Sequence, residues 1–183
     1  MKKCNVSWDV LESRELLNIE SRLKIAVQRL KLPDGRIIDD YHQIYLPDCV
    51  LIVARTPEGK FVMSRQYLHG CGRVSIILPA GSIEKGESPL QAARREMMEE
   101  TGYSSQKWKP IGKYAVHGNY GCGNVNYFFA ADAEKTGEPV SGDLEDMEIL
   151  LLDKNEIRDA MKNRDIISLG TIAALTLSRV LSV

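Results

Sequence analysis

Three glutamates lie close together in residues 95–100, REMMEE, and their spacing suits the binding of a cation. If this segment is helical, Glu96 and Glu100 are i, i+4 neighbours and Glu99 is three residues from Glu96, so all three carboxylates project from one side. A solvated acidic face is the general alternative. Mg²⁺ prefers hard oxygen ligands, so it is the cation that such a cluster is expected to bind.

Start and stop signals define the helix that would carry these glutamates. Ser88 is a good N-cap, Pro89 suits the first helical position, and Gln91 completes a capping box with Ser88. Gly102 is a natural C-terminal stop. We therefore expect a helix over about residues 89–101. Its apolar side, which can pack on a core, consists of Leu90, Ala93, Met97 and Thr101.

Length and composition indicate an ordinary globular protein. The 183 residues suit one domain, or one domain with a small appendage, and 44% are hydrophobic and 27% charged. The formal net charge of −1 gives no electrostatic reason to expect nucleic-acid or membrane binding. No signal peptide or membrane span is evident. The four cysteines are scattered, which favours free thiols in a reducing cytoplasm over zinc or disulfides.

The order of predicted elements indicates an α+β protein with a mixed sheet and helices on its faces. Residues 7–19 are interpreted as a short lead-in. An Asp-Gly turn at residues 34–35 predicts a hairpin between strands 23–32 and 37–45. Further strands are predicted at 50–54, 61–66, 75–78, 108–116, 125–131 and 149–152. Helices are predicted at 154–161 and 170–181.

Residues 81–103 resemble the Nudix box, G-x5-E-x7-R-E-U-x-E-E-x-G-U, where U is a bulky apolar residue. The eight matching positions are Gly81, Glu87, Arg95, Glu96, Met97, Glu99, Glu100 and Gly102. Further segments resemble the ADP-ribose pyrophosphatase branch, also described as nucleoside diphosphate sugar hydrolases. These segments are LPDG at 32–35, RQY at 65–67, LPAG at 78–81, the acidic stretch 143–148 and the C-terminal stretch 171–175.

This resemblance implies the Nudix fold, a mixed sheet between helices, together with a set of functional residues. It implies Mg²⁺, with Mn²⁺ as a possible substitute, bound by Glu96, Glu100, Glu99, the Ala80 carbonyl and Glu148. Catalytic roles fall to Glu145 as general base, with Glu148 as second choice, and to Glu99 and Arg95. Arg95 is expected to pair with Glu87 or a box glutamate, and Gly81 to form a sharp turn. The other expected residues are Arg65, Gln66, Tyr67, Gly81 and Tyr120 for substrate, and Glu87 and Gly102 as supports of the box.

Three departures from the branch affect the choice of substrate. Leu68 follows RQY where arginine is common, and Ile77 precedes LPAG where glutamate is common. The glycine-rich segment 117–124 replaces a Ser-Pro-Gly loop and is interpreted as a flexible loop that faces the substrate. Pyrophosphate hydrolysis is therefore better supported than ADP-ribose as the particular substrate.

The leading hypothesis is a Mg²⁺-dependent hydrolase that cleaves ADP-ribose or another nucleoside diphosphate sugar to a nucleoside monophosphate and a sugar phosphate. The alternatives are hydrolysis of dinucleoside polyphosphates, dinucleotide cofactors or oxidised nucleoside triphosphates, and a non-catalytic nucleotide sensor. We also predict two parts, an N-terminal β module at residues 1–45 and a Nudix domain at 46–183. The module is expected to pack on a second subunit of a homodimer and to help wall its substrate pocket.

Overall fold

The structure is a computed structural model, and it describes residues 7–20, 22–140 and 147–181. The chain divides into two compact units. Unit 1 consists of residues 1–48 and 115–124, and unit 2 of residues 49–114 and 125–183. Unit 1 therefore contains the expected N-terminal module together with a segment that lies far away in the sequence. Within the described residues, no helix combines the length and the apolar character that crossing a bilayer requires.

Unit 1 is built on a three-stranded antiparallel sheet. The strands, in spatial order, are β1 (Asp9–Ile19), β2 (Leu23–Lys31) and β3 (Ile37–Tyr45). The hairpin between β2 and β3 is confirmed, and Gly35 has the positive φ of 88° that its turn needs. The interpretation of residues 7–19 as a lead-in is wrong, because residues 9–19 form the full-length strand β1. Its apolar residues do not alternate regularly, so the pattern did not indicate a strand.

The segment 117–124 is held in unit 1 by hydrogen bonds to β3 and the residues after it. Asn119 accepts through its carbonyl oxygen from Tyr41 Oη at 2.9 Å and from Gln43 Nε2 at 3.2 Å. The Gly121 N–H donates to Gln43 Oε1 at 3.0 Å. Asp48 Oδ1 accepts from both the backbone and the side chain of Asn124. The segment therefore has a defined set of hydrogen-bond partners, and its role as a flexible loop that faces the substrate stays a prediction.

Unit 2 contains a seven-stranded mixed sheet and a two-stranded one. Its strands in chain order are β4 (Cys49–Arg55), β5 (Phe61–Leu68), β6 (Arg73–Ile77), β7 (Ala80–Ser82), β8 (Tyr103–Ser104), β9 (Lys107–Ala115), β10 (Asn124–Ala131), β11 (Glu134–Lys135) and β12 (Glu148–Leu152). The large sheet has the order β12-β5-β4-β10-β9, with β6 paired to β5 and β7 paired to β4. Strands β4 and β10 are parallel, whereas β5, β6, β7 and β12 pair antiparallel. Strands β8 and β11 pair separately.

The described residues of unit 2 also form three helices and one short 3₁₀ segment. They are α1 (Pro89–Thr101), α2 (Lys154–Lys162), α3 (Leu169–Leu177) and the 3₁₀ turn His69–Cys71. The capping box of α1 is present, since Ser88 accepts from the Gln91 N–H and Gln91 accepts from the Ser88 N–H. Gly102 ends the helix in the left-handed conformation with φ 72°. The predicted start and stop signals of α1 are thus confirmed.

Two hydrophobic clusters lie on opposite faces of the large sheet. Helices α2 and α3 contribute Ile157, Ala160, Ala174 and Leu175 to the cluster on one face. Helix α1 contributes Ala92, Ala93 and Met97 to the cluster on the other face. Strand β4 supplies residues to both clusters, which explains why its middle residues are continuously buried. The predicted α+β fold, with a mixed sheet between helices, is confirmed.

Candidate active site

Strand β7 and helix α1 carry four of the five predicted metal ligands, all except Glu148. Helix α1 carries Glu96, Glu99 and Glu100, and β7 supplies Ala80 and Gly81. The Ala80 N–H donates to Glu100 Oε2 at 3.0 Å. This contact fixes the last turn of α1 against the backbone that was predicted to supply a carbonyl ligand.

Gly81 lies in the extended strand β7 rather than in the sharp turn expected from the sequence. Strand β7 pairs with β4 over Ala80 to Ser82, so the turn interpretation of residues 79–81 is wrong. The requirement for glycine has a different cause, since a Cβ built on Gly81 would overlap the carboxyl group of Glu96. The absence of a side chain at Gly81 therefore makes the space that the Glu96 carboxylate occupies.

Arg95 connects the loop before α1 to two of the box glutamates. Its Nε and Nη2 atoms donate to the two carboxylate oxygens of Glu87 at 2.9 and 3.0 Å. Its Nη1 atom donates to Glu96 Oε1 at 2.8 Å and to Glu99 Oε2 at 3.1 Å. Nη2 also donates to the Ser82 carbonyl at 3.0 Å. Both kinds of partner considered from the sequence, Glu87 and a box glutamate, therefore contact the one guanidinium.

Burial and charge shift the pKa values in this cluster in opposite directions. Desolvation raises the pKa of Glu96, whose side chain is only 13% exposed, against the lowering effect of Arg95. Hydrogen bonds from Arg95 hold the pKa of Glu87 below its ordinary value. The same bonds with Glu87 raise the pKa of Arg95 and keep it charged. Three carboxylates thus share one guanidinium, which leaves an excess of negative charge that a divalent cation could neutralise.

In the part of the chain that the structure describes, no group of three or more His, Cys, Asp or Glu side chains is arranged to hold a metal ion. The geometry around Arg95 accounts for this. Glu96 and Glu99 are both turned to the Nη1 atom, and Glu100 is turned to the Ala80 N–H. Oxygen donors of the type that Mg²⁺ prefers are present, but their hydrogen bonds are to protein groups.

A segment after β11 contacts the C-terminal end of α1. The Gly102 carbonyl accepts from the N–H groups of Thr136 and Gly137 at 2.9 and 3.0 Å, and the Val140 N–H donates to the Glu99 carbonyl at 2.8 Å. A Cβ on Gly102 would overlap the Gly137 carbonyl oxygen. Gly102 is therefore needed both for its left-handed conformation and for this close approach of backbone.

The two predicted residues of the acidic stretch have different outcomes. Glu145 lies outside the described residues. Glu148 is the first residue of β12 and forms an ion pair with Arg65 of β5, with Nη1 and Oε2 at 2.7 Å. Glu148, a predicted metal ligand, and Arg65, a predicted substrate contact, thus bind each other between the paired strands β12 and β5.

Strand β5 presents the RQY residues to two different faces. Because side chains alternate along a strand, Arg65 and Tyr67 lie on the face of Phe61 and Met63, which α2 and α3 cover. Gln66 lies on the face of Val62, which α1 covers, and so does Ser64. Among the described residues, Ser64 Oγ and Gln66 Oε1 are buried and have no hydrogen-bond partner. Sequence reasoning missed Ser64, and no motif marks it.

The two predicted aromatic contacts lie in different units. Tyr67 is exposed in unit 2, and its ring lies edge-on to His69 with the centroids 6.2 Å apart. Tyr120 belongs to the segment held in unit 1, and its ring centroid is 4.7 Å from that of His117. Binding of substrate by these two residues stays a prediction.

Comparison with known proteins supports the interpretation of the box. The model of the NUDIX domain matches residues 46–169. An ADP-ribose pyrophosphatase of Bacillus subtilis (strain 168) is 29% identical over 140 residues, which is 76% of this chain and 74% of that protein. The methanol dehydrogenase activator of Bacillus methanolicus is 27% identical over 84% of this chain and 83% of its own length.

A solved structure shows the same fold. The crystal structure of an ADP compounds hydrolase superposes with a TM-score of 0.78 and 20% identity, over 94% of this chain and 92% of that one. The fold, the complete box at residues 81–103 and the family match together define a pyrophosphatase-type hydrolase. The chain belongs to the Nudix family and is a Nudix hydrolase of the branch that includes ADP-ribose pyrophosphatases.

Proposed function

We propose that this Nudix hydrolase is Mg²⁺-dependent and cleaves the pyrophosphate bond of ADP-ribose or another nucleoside diphosphate sugar. Water attacks one phosphorus, the bridging phosphorus–oxygen bond breaks, and the products are a nucleoside monophosphate and a sugar phosphate. The assembly of Glu96, Glu99 and Glu100 beside β7 is the observation that carries this proposal. The ADP-ribose pyrophosphatase among the relatives supports the choice of substrate class.

The residues suit a divalent cation in the chemistry of their donor atoms. Glu96, Glu99, Glu100 and the Ala80 carbonyl offer only hard oxygen donors, and Gly81 leaves room for the Glu96 carboxylate. When bound there, Mg²⁺ would neutralise charge on the phosphate oxygens and help to activate the attacking water, and Mn²⁺ could substitute. Arg95 donates to Glu96 and Glu99 and is itself held by both carboxylate oxygens of Glu87.

The proton of the attacking water requires a general base. We assign this role to Glu145, with Glu148 as second choice. Arg65 Nη1 already donates to Glu148 Oε2 at 2.7 Å, so that oxygen is engaged with a protein group, which favours Glu145. Arg65, Gln66, Tyr67 and Tyr120 remain the proposed substrate contacts.

A panel of nucleotides tests the substrate class. Catalytic efficiency would be measured with Mg²⁺ on ADP-ribose, several nucleoside diphosphate sugars, a diadenosine polyphosphate, a dinucleotide cofactor, nucleoside triphosphates and an oxidised nucleoside triphosphate. We expect a diphosphate sugar to have the highest kcat/KM and chelation with EDTA to abolish turnover. A wide preference for a triphosphate or a diadenosine polyphosphate would contradict the substrate assignment. Tight binding without turnover on every compound would favour the sensor alternative.

We also propose that the protein is a homodimer in which residues 1–45 pack on the second subunit and help wall its pocket. All eleven residues of β1 are exposed, including five large apolar ones: Val10, Leu11, Leu16, Leu17 and Ile19. An edge strand with so much exposed apolar surface is a site where another chain would pack. The exposed apolar residues of unit 2 say less about an interface, because isolated exposed apolar side chains are common on protein surfaces.

Light scattering on wild type and on Leu17→Glu tests the dimer. We expect a dimer that dissociates on substitution and loses affinity for substrate, while the control Leu169→Glu, at another highly exposed leucine, stays dimeric. A fully active wild-type monomer would rule out a shared site. The proposed compartment is the cytoplasm, which is consistent with the free thiols of Cys71 and Cys122.

A further inference from the structure

The Nη1 atom of Arg95 lies between two carboxylates that are proposed to bind the metal. It donates to Glu96 Oε1 at 2.8 Å and to Glu99 Oε2 at 3.1 Å. The opposite edge of the guanidinium is held by both oxygens of Glu87 and by the Ser82 carbonyl. One edge of this cation is therefore anchored away from the proposed metal site, and the other edge reaches into it.

A divalent ion and the Nη1 edge are alternative partners for the same oxygens. Both are positively charged, so a metal ion on Glu96 and Glu99 would repel the adjacent guanidinium. A metal–oxygen contact is also much shorter than an N–H···O contact, so carboxylates that bind the ion must move relative to Nη1. Glu99 can do so readily because its side chain is 47% exposed, whereas that of Glu96 is 13% exposed.

We propose that Arg95 Nη1 and a divalent ion compete for the same carboxylate oxygens of Glu96 and Glu99, so that metal binding is an exchange. In this exchange the ion replaces Nη1 on Glu96 and Glu99, and Glu87 retains the guanidinium. Glu87 is thus a positioning residue that sets the affinity for the metal without touching it. This proposal rests on the proposed metal site. It predicts that substitutions of Glu87 and of Arg95, which form one ion pair, change the affinity for the metal in opposite directions.

Removing each member of the pair changes the competition in a different direction. In Glu87→Gln the guanidinium loses its anionic anchor and binds Glu96 and Glu99 more strongly, so the affinity for a divalent ion falls. In Arg95→Gln the competing charge is gone, so the affinity rises. Removing a charge at this separation typically changes the binding of a small cation by about tenfold or more. A pair that served only as a scaffold would instead weaken metal binding in both variants.

The experiment is a titration of the metal-stripped, full-length protein with Mn²⁺, in which free Mn²⁺ is counted by electron paramagnetic resonance. The proteins are wild type, Glu87→Gln, Arg95→Gln and Arg94→Gln. Arg94 is the exposed neighbour of Arg95 on α1, so its variant controls for the loss of one positive charge nearby. We expect weaker binding in Glu87→Gln, tighter binding in Arg95→Gln and a smaller change in Arg94→Gln.

Two results would overturn the proposal. Affinities that move in the same direction in both variants, or that do not move, would overturn the exchange while leaving the metal site intact. A wild type that binds no Mn²⁺ would overturn the metal site itself, and with it the exchange.

A second measurement needs no variant and therefore does not depend on whether Arg95→Gln folds. The side-chain N–H signals of Arg95 would be followed by NMR as diamagnetic Mg²⁺ is added to wild type. The proposal predicts faster solvent exchange of the Nη1 hydrogens and an unchanged, protected Nε–H that remains bound to Glu87. Retention of the Nη1 protection at saturating Mg²⁺ would overturn it.

Discussion

Replacing Gly81 with alanine tests whether the absence of a side chain there positions the Glu96 carboxylate. The new methyl group would occupy the space of that carboxyl group. The backbone itself is no obstacle, because Gly81 is absent from the residues with positive φ and lies in the paired strand β7. The atoms that must move are at the end of the Glu96 side chain, so we expect β7 to stay in place and the carboxylate to be displaced.

The structure allows the magnitude to be worked out. The displaced carboxylate loses its hydrogen bond with Arg95, a charged contact worth roughly 1.5–3 kcal/mol when it is largely buried. Alanine recovers about 0.4–1 kcal/mol by restricting the unfolded chain. The free energy of unfolding should therefore fall by about 0.5–2.6 kcal/mol. A misplacement of about 1 Å at a reacting centre costs on the order of 10²-fold, so we expect kcat to fall at least that far.

The assay is kcat and KM on ADP-ribose with Mg²⁺, together with urea unfolding of the same preparations. Gly70→Ala is the matched control, because a Cβ on Gly70 meets no atom within 4 Å and its φ is not positive. We expect the control to retain activity. A Gly81→Ala protein with wild-type kcat would refute the reasoning, since the carboxylate would then have no need of the space that glycine leaves.

Three further predictions concern stability. Ser88→Ala removes the N-cap of α1 and should lower the free energy of unfolding, measured in urea, by about 1 kcal/mol. An unchanged free energy of unfolding would show that the cap does not stabilise the fold. Ser64→Ala removes a buried hydroxyl without a partner among the described residues, so stability should stay equal or rise by up to about 1 kcal/mol, and a clear loss would reveal a partner. The lowered pKa of Glu87 contributes stability above its ordinary value of 4.5, and this is lost as the pH falls through the folded-state pKa. The stability gap between wild type and Glu87→Gln should therefore be large at neutral pH and close on acidification, whereas a constant gap would contradict the ion-pair account.

The sequence predicted the elements whose signals are local. The capping box at Ser88 and the stop at Gly102 depend on neighbours within a few residues, and both appear in the structure. The buried strand β4 was evident as a continuous apolar run, since both of its faces are covered. Strand β1 was missed because its apolar residues follow no regular alternation and all of it is exposed in the single chain.

The details of the site depend on contacts between distant parts of the chain, which no local pattern encodes. The ion pair of Arg65 with Glu148 exists because β5 pairs with β12, across 83 positions of sequence. The hydroxyl of Ser64, which has no partner among the described residues, is buried because β5 presents it to the face of the sheet that α1 covers. The match to the box identified Gly81 as a required glycine. The requirement comes from the space that the Glu96 carboxylate occupies rather than from a turn.

Glu100→Gln is the sharpest test of the proposal that the carboxylates of α1 carry a metal-dependent hydrolysis. Glutamine has nearly the same shape and can still accept from the Ala80 N–H, so the fold should persist, and relief of repulsion on α1 could even stabilise the metal-free protein. The measurement is kcat on ADP-ribose at saturating Mg²⁺, with thermal unfolding as the check on folding. The account predicts a loss of several orders of magnitude in turnover by a folded protein. Near-normal turnover at saturating Mg²⁺ would contradict it.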